Sequence, residues 1–207
     1  EILLHSPYAK ALSESLARFR GVDAIEDAVT RHFTSTLYKL RAMANGELKS
    51  YIEYYLLQWD LIAVKTLLRC RHLGLQGEDA KAAWTPGPTL TIPLLHEFSQ
   101  QENMESLVQA LAWWNLGLCG CLLKSLSAYR KDGNLGFLQE TLDRSYCVSG
   151  VQALRQDAHE AAPFLRMALQ MEIDRINLRM LFRSSETALK PEARVSRLIP
   201  GGSLSVL

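Results

Sequence analysis

Apolar residues recur along the chain at intervals of three and four: Ile25, Ala28, Val29 and Phe33; Leu107, Leu111, Trp114 and Leu118; Leu165, Leu169, Ile173 and Ile176. This period matches the turn of an α-helix and predicts helix in nearly every long segment. The alternation expected of a strand is confined to Thr89-Leu90-Thr91-Ile92, and Pro86, Pro88 and Pro93 argue against a central strand there, since proline cannot donate to a ladder. Breaks are predicted at Gly21, Asn45-Gly46, the run from Gly74 to Pro93, Asp132-Gly133-Asn134, Ser149-Gly150 and Pro200-Gly201-Gly202. The most apolar run, Ala110 to Leu123, contains Asn115 and falls short of the ~20 residues that span a bilayer, so it is predicted as a buried helix. The expected fold class is all-α.

The pattern is written twice. Shifting the chain by 114 residues lays Asp60–Leu90 on Asp174–Leu204 without a gap, and nine positions are identical: 60/174, 62/176, 67/181, 69/183, 75/189, 78/192, 86/200, 87/201 and 90/204. Conservative pairs lie between them, among them Lys65/Arg179, Val64/Leu178 and Leu68/Phe182. Upstream, Ile25–Phe33 resembles Leu138–Tyr146 at a shift of 113, and Leu4–Phe19 resembles Trp114–Tyr129 at a shift of 110. The chain therefore reads as two tandem helical units, residues 1–93 and 94–207. It begins at Glu1 without a methionine, and the first unit is expected to lack its opening helix.

Asp60, Ala63, Val64 and Leu67 share one helix face, as do Asp174, Asn177, Leu178 and Leu181, so a carboxylate stands on an apolar face in both copies. Such a group needs hydrogen-bond donors, and a neighbouring helix or loop amide is the expected source. Acid–base catalysis would need a second positioned group, and none repeats beside it. The opposite face is basic, with Lys65 and Arg69 in the first copy and Arg175, Arg179 and Arg183 in the second. Like charges four residues apart repel, so an acid is expected to oppose them, either the flanking Glu172 and Glu186 or an acidic surface of a partner. These five residues are the candidate partner-binding side chains.

Composition narrows the function. With 23 basic and 22 acidic residues in 207 the net charge is +1, without the basic footprint of a nucleic-acid binder. Cys70, Cys119, Cys121 and Cys147 lack the spacing of a zinc site or disulfide framework and read as reduced thiols. Around Cys119-Gly120-Cys121 the small residues, with Gly117, are expected to let another helix approach closely. Trp113 and Trp114 point about 100° apart, so only one can face a given contact. Trp59 and Trp84 are read as core, with a partner interface as the alternative. No phosphate loop, G-x-S-x-G elbow or H-E-x-x-H pair is present, and the histidines at 5, 32, 72, 96 and 159 are scattered singly. No catalytic residue, metal site, cofactor or small-molecule substrate is assigned.

The order of these features resembles the C subunit of the bacterial and archaeal V/A-type ATPases, the counterpart of the eukaryotic d subunit. The carrying residues are Asp60, Ala63, Val64, Lys65, Leu67, Leu68 and Arg69 with Pro86-Gly87, and Asp174, Asn177, Leu178, Arg179, Leu181, Phe182 and Arg183 with Pro200-Gly201-Gly202. Thr30-Arg31 and Asp143-Arg144 extend the likeness. In the first copy Ala63 replaces the usual Asn and Pro88 the second Gly. The resemblance implies a funnel of three helical domains around a pseudo-threefold axis, of which this sequence holds two. It further implies a non-catalytic central-stalk protein on the cytoplasmic face of the membrane, seated on the proteolipid ring and receiving the D and F subunits of the rotor shaft. The alternatives from other classes are a free-standing helical adaptor for soluble partners and an all-α enzyme. A period near 110 residues counts against the adaptor, since solenoid repeats run about 20–50 residues.

Overall fold

The computed structural model describes residues 5–185 and 191–204. These residues form α1 (Ala9–Leu16), α2 (Gly21–Met43), α3 (Leu48–His72), α4 (Gly77–Ala82), α5 (Ile92–Ser99), α6 (Met104–Trp114), α7 (Leu116–Asp132), α8 (Leu135–Ala153), α9 (Ala162–Ser185) and α10 (Pro191–Val195). Among the described residues there is no strand, and the fold is all-α. Helices α1 and α2 pair as one hairpin, α7 and α8 as another, and α6 lies along α7. The long α3 packs on α2, α5, α6, α8 and α9. Its Leu61, Val64, Leu67 and Leu68 join Leu107, Leu111, Leu122, Leu138, Leu142 and Leu169 in one core. Each such side chain contributes about 1.5–3 kcal/mol on burial, which makes α3 the spine of the molecule.

Local chemistry explains most boundaries. Asn103 accepts the Ser106 amide at 2.9 Å while the Ser106 hydroxyl accepts the Asn103 amide at 3.2 Å, a reciprocal cap that starts α6. Gly133, in the left-handed region at φ 61°, ends α7. The 74–93 run is not wholly loop, because it holds α4.

Three expectations are corrected. The Ala110–Leu123 run is two helices: Asn115 departs from helical geometry (φ −146°, ψ 89°) and its side chain accepts the Leu118 amide at 3.0 Å, capping α7. Ser149-Gly150 is no break but lies inside α8. A Cβ on Gly150 would stand 2.6 Å from Tyr54 Cε1 and 2.7 Å from Leu169 Cδ1, so the glycine is there for close helix packing rather than for a turn. At Gly117 and Gly120 the reverse holds. A Cβ there would meet only Asn115 and Leu116 of the same stretch, so among the described residues no other helix sits against them.

The joint between α3 and α8 is polar as well as apolar. The Tyr54 and Tyr146 rings stack at 5.2 Å and 11°, and the Tyr54 hydroxyl donates to the Tyr146 carbonyl at 2.6 Å. The ammonium of Lys65 pairs with Asp143. Near the start of α3, the Tyr51 hydroxyl donates to Asp157 at 2.5 Å, and His159 Nε2 lies 3.1 Å from the Glu47 carboxylate. These contacts tie residues 47–65 to the stretch 143–159.

Candidate functional site

Asp60 lies mid-way along α3, wholly buried, and faces the loop after α4. It accepts the Thr89 amide at 3.0 Å, the Thr89 hydroxyl at 2.7 Å and the Leu90 amide at 2.8 Å. On α9, Asp174 does the same one repeat later, accepting the Ser203 amide at 3.0 Å, the Ser203 hydroxyl, and the Leu204 amide at 3.2 Å. The expected loop-amide partners of both aspartates are therefore present. Each carboxylate clasps a Pro-Gly loop to its helix, and in the first copy it satisfies the buried Leu90 amide, which would otherwise be left without an acceptor.

The clasp needs a residue without a side chain at its closest approach. A Cβ on Gly87 would stand 2.1 Å from Asp60 Oδ1 and 2.8 Å from its Cα, and a Cβ on Gly202 would stand 2.1 Å from Asp174 Oδ1. In the aligned sequences Gly87 pairs with Gly201 rather than Gly202. The first copy thus keeps a glycine against the carboxylate although Pro88 replaces its second one, and the contact moves by one residue. Gly201, at φ 99°, turns the second loop and packs near Val151 and Ile173. Pro86 is buried and Pro200 exposed.

Asn177 adds a second fastening that the first copy lacks. Its amide nitrogen donates to the Ile199 carbonyl at 2.9 Å, and its oxygen accepts the Ile199 amide at 2.8 Å. At the matching position Ala63 is fully buried and apolar. The two aspartates also differ electrostatically. Burial raises the pKa of Asp60 despite its three donors. At Asp174 burial also pushes upward, but the Ser203 hydroxyl and the Leu204 and Ser203 amides outweigh it and leave the carboxyl below its usual range.

The basic candidates are placed as follows. Lys65 meets its acid inside the chain, at Asp143. Arg69 donates to the Lys65 carbonyl at 3.3 Å and to the Thr66 hydroxyl at 3.2 Å. Arg175 pairs with Glu172, its Nε 2.7 Å from the carboxylate. Arg179 is exposed. The Arg183 side chain, Glu186 and Leu189 lie outside the described residues.

Other candidate chemistry is sparse. A cavity of about 370 Å³ beside Asp60 is lined by Arg41, Glu53, Tyr54, Leu57 and Thr89. The Arg41 guanidinium donates to the Pro88 carbonyl there at 3.1 Å. Burial raises the pKa of the Cys119 thiol and carries that of Cys147 up to about 12, so both stay protonated and poorly nucleophilic at neutral pH. Among the described residues no group of three or more His, Cys, Asp or Glu side chains is placed to hold an ion, and no helix is long and apolar enough to cross a membrane. Trp84 is buried, Trp59 packs against Phe33 and Tyr55, Trp114 against Phe98, and Trp113 is 89% exposed.

Sequence reasoning missed several fastenings. Arg144 donates to the carbonyls of Arg197 at 2.8 Å and Leu198 at 3.1 Å, and Tyr54 and Gly150 form the α3–α8 joint. The one signal for the joint was a glycine within an otherwise helical run.

Fold and site together define an all-helical protein in which a carboxylate-clasped helix and loop recur at a spacing of 114 residues. The model of the ATP synthase (C/AC39) subunit family matches residues 1–206, and the chain belongs to that family. It is 27% identical over 198 residues to the C subunit of the A-type ATP synthase of Methanococcoides burtonii, covering 95% of this chain and 53% of that protein. To the C subunit of the V-type ATP synthase of Deinococcus radiodurans it is 28% identical over 203 residues, covering 98% and 55%. To the A-type C subunit of Thermoplasma acidophilum it is 25% identical over 217 residues, covering 99% and 59%. The chain spans a little over half the length of these relatives.

Proposed function

We propose that the chain is part of a non-catalytic central-stalk protein of a rotary V/A-type ATPase, coupling the rotor shaft to the membrane proteolipid ring during ATP-linked ion transport. The observation that carries this reading is the repeated clasp. One helix, with its carboxylate and loop, is presented twice in the same way, as the walls of a socket with rotational pseudosymmetry would require. Units at 1–93 and 94–207, with a third beyond them, would complete a funnel around the shaft. Close-packed helices are stiff and poorly compressible, which suits a body that transmits torque.

In this reading the partners are the D and F subunits of the shaft and the proteolipid ring, met on the cytoplasmic face of the membrane. With Lys65 engaged by Asp143 and Arg175 by Glu172, the cations proposed to meet a partner are Arg69, Arg179 and Arg183. Affinity purification of the tagged full-length protein from its own membranes tests the proposal. Shaft and proteolipid subunits are expected in the eluate. An eluate of soluble proteins alone would favour the adaptor reading, and turnover of a substrate by the isolated protein would contradict the non-catalytic role.

A further inference from the structure

One histidine organises the turn into α9. The His159 carbonyl accepts the Ala162 amide at 2.9 Å and its ring Nδ1 accepts the Ala161 amide at 3.0 Å, while Pro163 brings no N–H. The start of a helix leaves amides without intrahelical acceptors. His159 supplies here what the side chains of Asn103 and Asn115 supply at α6 and α7. Its own amide donates to Asp157 Oδ1 at 2.9 Å, and the other oxygen of Asp157 accepts the Tyr51 hydroxyl from α3. The Tyr51 and His159 rings stack at 5.0 Å and 29°. A continuous run of bonds thus leads from the start of α3 to the start of α9, the two helices that carry the clasping aspartates.

An imidazole nitrogen accepts a hydrogen bond only while it carries no proton. Because Nδ1 receives the Ala161 N–H, the single ring proton of neutral His159 belongs on Nε2, which lies 3.1 Å from the Glu47 carboxylate. We propose that His159 is a proton-operated latch: the neutral ring caps α9 and ties it to the start of α3, and a second proton, which can go only on Nδ1, turns that acceptor into a donor and releases the cap. The imidazolium then has two carboxylates within its surroundings, exposed Glu47 at the start of α3 and Asp157 in its own turn, to draw it off the Ala161 amide. Asp157 and Tyr51 do not change charge with it. The Tyr51 hydroxyl and the His159 amide hold the Asp157 carboxyl below its usual range, and the same bond to Asp157 pushes the Tyr51 phenol up to about 12. Arg166, the cation on α9 that acts on Asp157, is bonded to the Leu154 carbonyl.

Nitrogen NMR of the histidine rings in the full-length protein reads the tautomer, the His159 signal being assigned by its absence from His159→Asn. Amide exchange, expressed as protection factors, reads the cap. At about pH 8 the ring proton is expected on Nε2. On acidification to about pH 5 the ring should gain its second proton and the Ala161 amide should lose about fivefold or more of its protection, the worth of one hydrogen bond. The Leu118 amide, capped by the non-titrating Asn115, should keep its protection. An asparagine side chain can accept the amide two residues on without titrating, so His159→Asn should leave Ala161 protected at both pH values. A neutral ring with its proton on Nδ1 overturns the proposal, and so does a ring still neutral at about pH 5. Ala161 protection that does not change as the ring is protonated, or that responds to acid equally in His159→Asn, overturns it as well. These measurements read the protein alone, so their outcome stands apart from that of the co-purification.

Discussion

Asp60 holds the Leu90 amide at 2.8 Å across 30 residues of chain, and its counterpart Asp174 holds the Leu204 amide at 3.2 Å across the same interval. The bond is repeated while its surroundings are not: Asp60 is fully buried and Asp174 is backed by Asn177. That difference separates the two clasps experimentally.

The pH dependence of the two Asp→Asn variants should have opposite signs. Asp174 has a folded-state pKa below the unfolded value of 3.8, so its stabilisation is present above that value and lost as pH falls through the folded pKa. Asp60 has a raised folded pKa, so its contribution is full below 3.8 and declines as pH rises through the folded value. Urea unfolding at pH 7 and again well below pH 3.8 should therefore show the penalty of Asp174→Asn shrinking on acidification and that of Asp60→Asn growing. Penalties that move together would contradict the assignment.

Gly150→Ala should destabilise the protein by about 1–3 kcal/mol, because the added methyl overpacks the α3–α8 joint. Alanine is otherwise the better helix former, so the same substitution at Gly120, where only Leu116 lies nearby, should be far milder. Chemical denaturation midpoints of the two variants give the comparison.

Lys65→Met and Asp143→Leu should each cost about 1–3 kcal/mol by leaving a partly buried charge without its partner. The double variant should lose less than the sum of the two. Additive losses in the double-mutant cycle would show that the pair is not coupled.

Asn177→Ala removes two bonds to Ile199 and should cost about 1–3 kcal/mol. Hydrogen exchange should show the Ile199 amide losing protection while Leu90, in the first clasp, keeps it.

How far the sequence could be read depended on whether a feature repeats or is periodic. The helices followed from the three-and-four spacing of leucines that the core buries, and the clasps followed from a carboxylate recurring on an apolar face. The Pro-Gly loop was visible as a repeat and a loop amide was one expected donor, though which amides donate, those of Thr89 and Leu90, was not, since backbone amides leave no mark in side-chain identity. Asn115 was the hardest boundary. Its neighbours are apolar on both sides, and the Leu118 N–H that donates to its side-chain oxygen marks where the second helix starts. Gly150 misled for a related reason: glycine serves both turns and tight packing, and Tyr54 and Leu169, on other helices, decide between them. The ion pair of Lys65 with Asp143 spans 78 residues and had no local signal.

The central claim, that this protein couples rotation to transport without chemistry of its own, is tested most directly by stripping it from membranes bearing the intact ATPase and adding back the full-length protein. The account predicts that ATP hydrolysis persists after removal while ion pumping stops, and that pumping returns on addition. Pumping that continues undiminished without the protein would contradict it.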